Sequence, residues 1–338
     1  MFWSPRQYLI AFNMVQGIGG RRLLALEQHF GSLAEAWHAP MGDLARVKGI
    51  GPKTAEQFCA VRGQLCPFQE EEWAASRGAR IITICDEEYP QYLRRLAVPP
   101  PVLYVWGELP QVPGIAVVGT RRPSRTGIAQ AQFFTEEIVR RGRVVVSGLA
   151  RGIDFYAHQR TLDLGGKTVA VLGSSLQEIY PAEHRGLAKR IAEQGAVVSE
   201  FSSRCPTVPG NFPRRNRIIA GCATGVLVVQ AGAGSGALRT ADWALELGID
   251  VWSIPGEISD PLREGNHQLI KEGAQLVTHP AELFGAEGGQ AQSAASSIEQ
   301  LHASGRNANE IAAQLRKPVQ EVLVELSRLQ VKQGKQLG

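Results

Sequence analysis

From Gly114 onward, short apolar runs alternate with stretches of helical period, and this alternation constrains the fold more than any other feature of the chain. The apolar runs fall at 115–118, 144–146, 169–172, 196–199, 226–229 and 251–254. Helical-period stretches lie between them at 128–141, 154–164, 185–193, 214–223 and 237–247. Gly142 and Gly248 stand just past two of these stretches, where a left-handed residue ends a helix. Apolar strands separated by helices imply a parallel sheet buried on both faces, joined by right-handed crossovers. Residues 114–284 are therefore expected to form an α/β, Rossmann-like, doubly wound domain.

The flanks read differently, and a length of 338 residues leaves room for two or three domains. Residues 1–66 suggest a small helical domain in which a pattern recurs 32 residues apart, Val15-Gln16-Gly17-Ile18-Gly19 and Val47-Lys48-Gly49-Ile50-Gly51. Glycines at alternate positions allow a tight turn that leaves bare N–H groups at a helix start. Arg21, Arg22, Lys48 and Lys53 stand beside them. The pattern resembles the helix-hairpin-helix of sequence-independent DNA binders. Gly17, Gly19, Gly49, Gly51 and Lys53 are candidate duplex contacts, and a plain packing role is equally compatible. Residues 67–113 read as a connector packing on the sheet domain, with strand-like 80–84, apolar 102–106 and an acidic run, Glu70-Glu71-Glu72, expected on a solvated helix face. The Gly-, Ala-, Ser- and Gln-rich stretch 285–297 reads as a flexible linker. Residues 298–338 have the pattern of a small helical or winged-helix unit that contacts either DNA or protein.

Composition excludes several classes. The five cysteines show no C-x-x-C spacing, and the seven histidines form no H-E-x-x-H, so neither a metal nor a cofactor is expected. No apolar run approaches the ~20 residues of a membrane span, and residues 1–6 do not begin a secretory signal. A cytoplasmic protein without a membrane partner is expected. The net charge of +4 is unevenly spread: residues 1–66 hold seven basic against four acidic residues, 67–113 four against seven, and 114–284 nineteen against sixteen. Such values are compatible with a polyanionic partner but do not establish one.

Ligands of open parallel sheets bind beyond the carboxyl ends of the strands, so the loops there carry the functional reading. After the first strand, Gly119-Thr120-Arg121-Arg122 lacks the G-x-G-x-x-G spacing of dinucleotide sites, and no acid ends the second strand. Its arginines suit phosphates, onto which a guanidinium can fork. Gly165-Gly166-Lys167-Thr168 imitates a phosphate loop but precedes a strand and lacks the earlier glycine, so it is rejected. In Ser147-Gly148-Leu149-Ala150-Arg151-Gly152, Ser147, Gly148, Ala150 and Gly152 are candidate strand contacts. Asp154 and His158 just beyond share a helix face, and their preferred reading is a helix cap and a packed ring, with a catalytic pair as the alternative. Phe212 beside Arg214, Arg215, Asn216 and Arg217 has the composition of a platform on which bases stack and phosphates meet charge. Gly234, Ser235 and Gly236, with Arg239 one turn on, form an anion cradle at a helix start.

These blocks resemble the DNA-processing protein A family (DprA/Smf). The matching pieces are 118–121, 147–154 with His158, Tyr180-Pro181, 212–221, Ser235-Gly236, Pro255-Gly256 and the 265–274 stretch. The resemblance implies a non-enzymatic protein that binds and protects single-stranded DNA in natural transformation and loads the recombinase RecA onto it. It also implies a homodimer, and Leu269 and Ile270 are the candidate shared surface. The family's strand-binding arginine maps to Arg121 and its stacking aromatic to Phe212. Two positions depart from the family pattern: Pro209 replaces a common basic residue, and Gln230 a common acid. The alternative is a lysine-decarboxylase-like phosphoribohydrolase, which requires a glutamate shortly after the glycine loop. Residues 236–241 contain no acid, and Asp242 comes only afterwards. A third reading is an adaptor acting through its C-terminal unit.

Overall fold

The computed structural model describes residues 3–288 and six isolated positions beyond them, Asn307, Ala308, Glu310, Ile311, Val319 and Val322. Residues 1–278 form one compact unit and 279–338 a second. The first unit opens with helices α1 (Pro5–Asn13), α2 (Gly20–Phe30), α3 (Leu33–His38), α4 (Met41–Leu44), α5 (Pro52–Val61) and α6 (Pro67–Ala75). Two strands follow, β1 (Ala79–Thr83) and β2 (Val102–Gly107). The alternating region then gives β3 (Gly114–Val118), α7 (Arg125–Arg140), β4 (Val145–Ser147), α8 (Ile153–Asp163), β5 (Thr168–Val171), α9 (Arg185–Gln194) and β6 (Ala196–Ser199). It continues with α10 (Asn211–Gly221), β7 (Ala223–Val228), α11 (Gly236–Glu246), β8 (Asp250–Ser253), α12 (Glu264–Lys271) and β9 (Gln275–Leu276).

All nine strands join one sheet in the order β1-β2-β6-β5-β4-β3-β7-β8-β9. The seven from β6 to β9 run parallel, as the alternation predicts. Strands β1 and β2 add an antiparallel edge, with Val105 opposite Val198. Residues 67–113 are thus not a connector lying on the sheet, since they supply two of its strands. In β2 the side chains alternate between two cores: Val102 and Tyr104 face one, Leu103 and Val105 the other. Burial on both faces makes the run continuously apolar.

The N-terminal helices share a core with sheet residues Ile81, Tyr104 and Val197 and do not form a separate body. Ser4 and Gln7 make a capping box that starts α1, with Pro5 in its first turn. Rings of Phe12, Trp37 and Phe58 meet at centroid distances of 4.9 to 5.3 Å and join the two hairpin repeats. Arg6 ties α1 to the sheet, bonding Glu71, Asp86 and the carbonyl of Ile81. The acidic run is also only partly a solvated face. Glu70 is buried and accepts from the N–H and hydroxyl of Ser203 at 2.8 and 2.6 Å, fixing the segment before α10.

Two further expectations change. Leu269 is 3% exposed and packs in the second core, while Ile270 is half-buried, so this pair is not an open apolar surface. The amphipathic period of α12 turns Leu269 inward. The supposed linker at 285–297 begins inside a 3-10 segment, Pro280–Gly288. Its remainder, and nearly all of the winged-helix expectation, lie outside the described residues.

Candidate nucleic-acid interface

The sheet order reverses between β3 and β7, so the loops leaving these strands diverge and open a crevice. A cleft of about 780 Å³ occupies this place. Its walls are the loop after β3, the loop after β4, the start of α10 and the glycine loop before α11. Four sequence blocks more than 100 residues apart at their extremes are brought together here, as their positions at strand ends predict.

The walls are held by buried polar groups. Gly152 has φ 78°, and a Cβ there would collide with the carbonyl of Thr120, so only glycine lets the loops after β3 and β4 approach. Asp154 accepts from the N–H groups of Gly148 and Ala150 at 3.0 and 3.4 Å, which folds the loop over the start of α8. Burial pushes the Asp154 carboxyl up, while the Arg215 guanidinium opposes that shift. Ser147 is buried and donates to the carbonyl of Val117 at 2.7 Å. It serves the sheet and is withdrawn from the cleft surface. His158 is fully buried, with Nδ1 2.8 Å from the Thr168 hydroxyl, and desolvation lowers it to about 3. The His158 ring is packed as expected, whereas Asp154 does not cap α8, whose N-cap is Gly152 without a side-chain bond, and instead holds the preceding loop.

The arginine block splits. Arg215 is 5% exposed and donates to the carbonyls of Gly148, at 2.6 Å, and Val171. Burial lowers its guanidinium to about 10, so it remains charged at neutral pH. Asn216 is buried and donates to the Gly236 carbonyl at 3.1 Å, pinning the glycine loop to α10. Arg217 pairs with Glu200 and donates to the Val98 carbonyl at 2.8 Å. These three were expected to contact a strand directly; instead they hold the walls. Arg214 alone of the block is exposed, its guanidinium 5.5 Å from the Phe201 ring centroid. An α-helix turns about 100° per residue, so neighbouring arginines face different surroundings.

The exposed charges lie on the rim. Arg121 and Arg122 lie in the loop after β3, and Arg239 stands one turn into α11, 3.6 Å from Asp242. Ser235 caps α11 by accepting from the Ala237 N–H, and Gly234 and Gly236 are exposed beside it. The Arg121 guanidinium lies 5.8 Å from the centroid of Phe212, and the Phe212 ring lies 5.3 Å from that of Tyr180. The motif Tyr180-Pro181 carried no role in the sequence reading. Tyr180 is 40% exposed and makes the platform a pair of aromatic rings. Its place in the loop after β5, at a carboxyl end, is the signal that could have found it.

Gln230, one of the two positions expected to depart from the family pattern, is fully buried; its amide bonds the N–H and hydroxyl of Ser124 at 2.9 and 3.0 Å. It thus supports the cap of α7. Asp242 lines a hollow toward α12 that borders the cleft along Ala233, Gly234, Ser235 and Arg239, and is not itself among the residues lining the cleft. The two glycine hairpins also differ. Gly17 and Gly49 share positive φ values of 86° and 83°. Around the first, Arg22 donates to the Gly17 carbonyl and Gly20 backs onto Val98 and Pro99. Around the second, Gly49 and Gly51 face open space with Lys48 and Lys53 exposed. Among the described residues no helix is long and apolar enough to cross a membrane, and no group of metal-binding side chains occurs.

Residues 80–286 match the model of the DNA recombination-mediator protein A family. Protein Smf of Synechocystis is 39% identical over 291 residues, covering 84% of this chain and 73% of that protein. DNA processing protein DprA of Streptococcus pneumoniae is 41% identical over 198 residues, 58% of this chain and 70% of that one. The crystal structure of the Streptococcus protein superposes with a TM-score of 0.68 at 32% identity, over 85% of this chain and 99% of that one. A structure of DNA processing protein A from Helicobacter pylori, described for its single-stranded DNA binding mode, matches with a TM-score of 0.55 and 28% identity. It covers 60% of this chain and 93% of that one.

Proposed function

The chain belongs to the DNA recombination-mediator protein A family, and on that premise we propose that its cleft binds single-stranded DNA without a chemical step. The observation that carries this reading is the exposed Arg121 guanidinium beside the half-buried Phe212 ring, with Tyr180 next to it. Arginine at an aromatic face serves a base by stacking and a phosphate by charge, whatever the sequence. Gly119, Thr120, Arg122 and the Gly234–Gly236 loop with Arg239 line the same cleft and supply amides and cations to the backbone. No acid follows the glycine loop at the position the phosphoribohydrolase alternative requires, and Asp154, which lines the cleft, already accepts from two amides at Oδ2. The related Helicobacter protein, described for its single-stranded DNA binding mode, supports the choice of ligand.

The remaining assignments form the finer part of the proposal. The open second hairpin, with Gly49, Gly51 and Lys53, takes duplex DNA. Homodimer formation and loading of RecA follow from the family resemblance, as does a setting in transformation. Fluorescence titration of the full chain with oligo(dT), a duplex of equal length and AMP, each at several salt concentrations, tests the central reading. The expected result is tight, salt-sensitive binding of oligo(dT), weaker duplex binding and no competition by AMP. Competition by AMP, or release of its base, overturns it.

A further inference from the structure

A second basic hollow of about 340 Å³ lies on the other side of α10, between the first glycine hairpin and the α10–α11 pair. Arg21, Arg22, Arg214 and Arg217 line it together with Trp243, and no acidic side chain does. Glu200 answers Arg217 and Gly17 occupies Arg22, which leaves the exposed Arg21 and Arg214 as its open cations. Helix α2 starts at this hollow behind Gly19, which offers no side-chain cap, so the first amides of the helix add to the positive field.

The hollow and the cleft meet along shared helices. Pro213 lines the cleft, and Arg214 beside it lines the hollow. On α11, Arg239 lines the cleft and Trp243 the hollow. These two stand four residues apart, and therefore on one face of the helix. We propose that the hollow is a second nucleotide subsite, entered by a single strand that leaves the cleft across Arg214 and Arg239. A base then lies against the half-buried indole of Trp243, and phosphates meet Arg21, Arg214 and the start of α2. The inference rests on the strand-binding reading above. It gives the first hairpin a single-strand role distinct from the duplex contact assigned to the second.

The test compares the full-length wild type with Arg21→Glu and Trp243→Phe, using oligo(dT) of about 6 and about 20 nucleotides, a short one for the cleft alone and a long one for both sites. Wild type should bind the long oligonucleotide roughly tenfold or more tightly than the short one, beyond the gain from counting registers. Arg21→Glu should remove most of that gain and lower the salt slope for the long strand by ~0.7 or more, leaving the short strand unaffected. Tryptophan quenching by the long strand should fall in Trp243→Phe. Arg21 is exposed and bonds no neighbour among the described residues, so its replacement should leave the fold intact. Equal affinities of Arg21→Glu and wild type for the long strand overturn the subsite. Quenching of Trp243 by an acidic peptide, with none by oligo(dT), overturns it in favour of a protein ligand. Failure of wild type to bind either length instead overturns the strand-binding premise, a result distinct from these.

Discussion

Arg215 on the floor of the cleft donates to two backbone carbonyls opposite Asp154, whereas Arg121, Arg122 and Arg239 on its rim are exposed. The floor uses charge where water is excluded, and there a guanidinium without partners would cost several kcal/mol. It can therefore fix loop positions but cannot move to meet a ligand. The rim uses the same side chain where water screens it, which contributes little to folding and leaves it available for phosphate. The difference teaches that a count of arginines near a site does not count its ligand contacts. On the proposed reading, the floor residues Arg215 and Asn216 position the loops, and the rim with Phe212 and Tyr180 is the surface that meets the strand.

The largest expected effect tests the floor. Arg215→Ala leaves Asp154 buried opposite no cation and frees two carbonyls, and should cost about 3–5 kcal/mol of stability in urea unfolding. A variant as stable as wild type would break the distinction between floor and rim. On the rim, Phe212→Ala should weaken oligo(dT) binding by ~1–3 kcal/mol with an unchanged salt slope, since stacking is nearly independent of salt. Tyr180→Ala should act in the same sense, and full affinity in both variants would remove the platform.

The floor also predicts a pH effect of about 2 kcal/mol, because one pH unit corresponds to ~1.4 kcal/mol per proton taken up on unfolding. His158 is neutral in the fold, pulled down to about 3 by burial, with His184 and Arg215 adding to the shift. The unfolded chain takes up a proton below its ordinary value of 6.5 and the folded chain does not. Its contribution is therefore intact above pH 6.5 and is lost progressively as pH falls toward 3. Unfolding at pH 7 and 5 should show the loss in wild type, and His158→Gln should remove that share of the pH dependence. The smallest effect sharpens the rim. Arg121→Ala should change stability by no more than ~0.5 kcal/mol. Its single-strand salt slope should flatten by ~0.7, from the loss of one phosphate contact. A melting shift as large as that of Arg215→Ala would place Arg121 among the structural residues.

The sheet and the location of the cleft were legible because both follow from local rules. Apolar runs on both faces of a strand have no polar alternation, as in 196–199, which became β6 without change. A parallel sheet puts its loops at strand ends, so the arginines after β3 and the glycines after β7 were bound to lie on one edge. Less legible was the edge formed by β1 and β2. Their apolar runs were visible, but β2 pairs with β6 between residues as distant as Tyr104 and Ser199, and that pairing is decided by which strand edge is free.

What the sequence by itself determined was the order of strands and helices, the glycine loops and the set of residues gathered at one end of the sheet. Tertiary structure alone decided which of those residues can touch a ligand. Arg214 and Arg215 are adjacent and chemically identical, and no local rule separates them. The side of α10 that carries Arg215 lies over carbonyls from the loop after β4 and from the end of β5, 67 and 44 residues away in sequence. The side that carries Arg214 faces the second hollow. Burial depends on those distant neighbours, and it sets whether a guanidinium is bonded within the fold or left open to a phosphate.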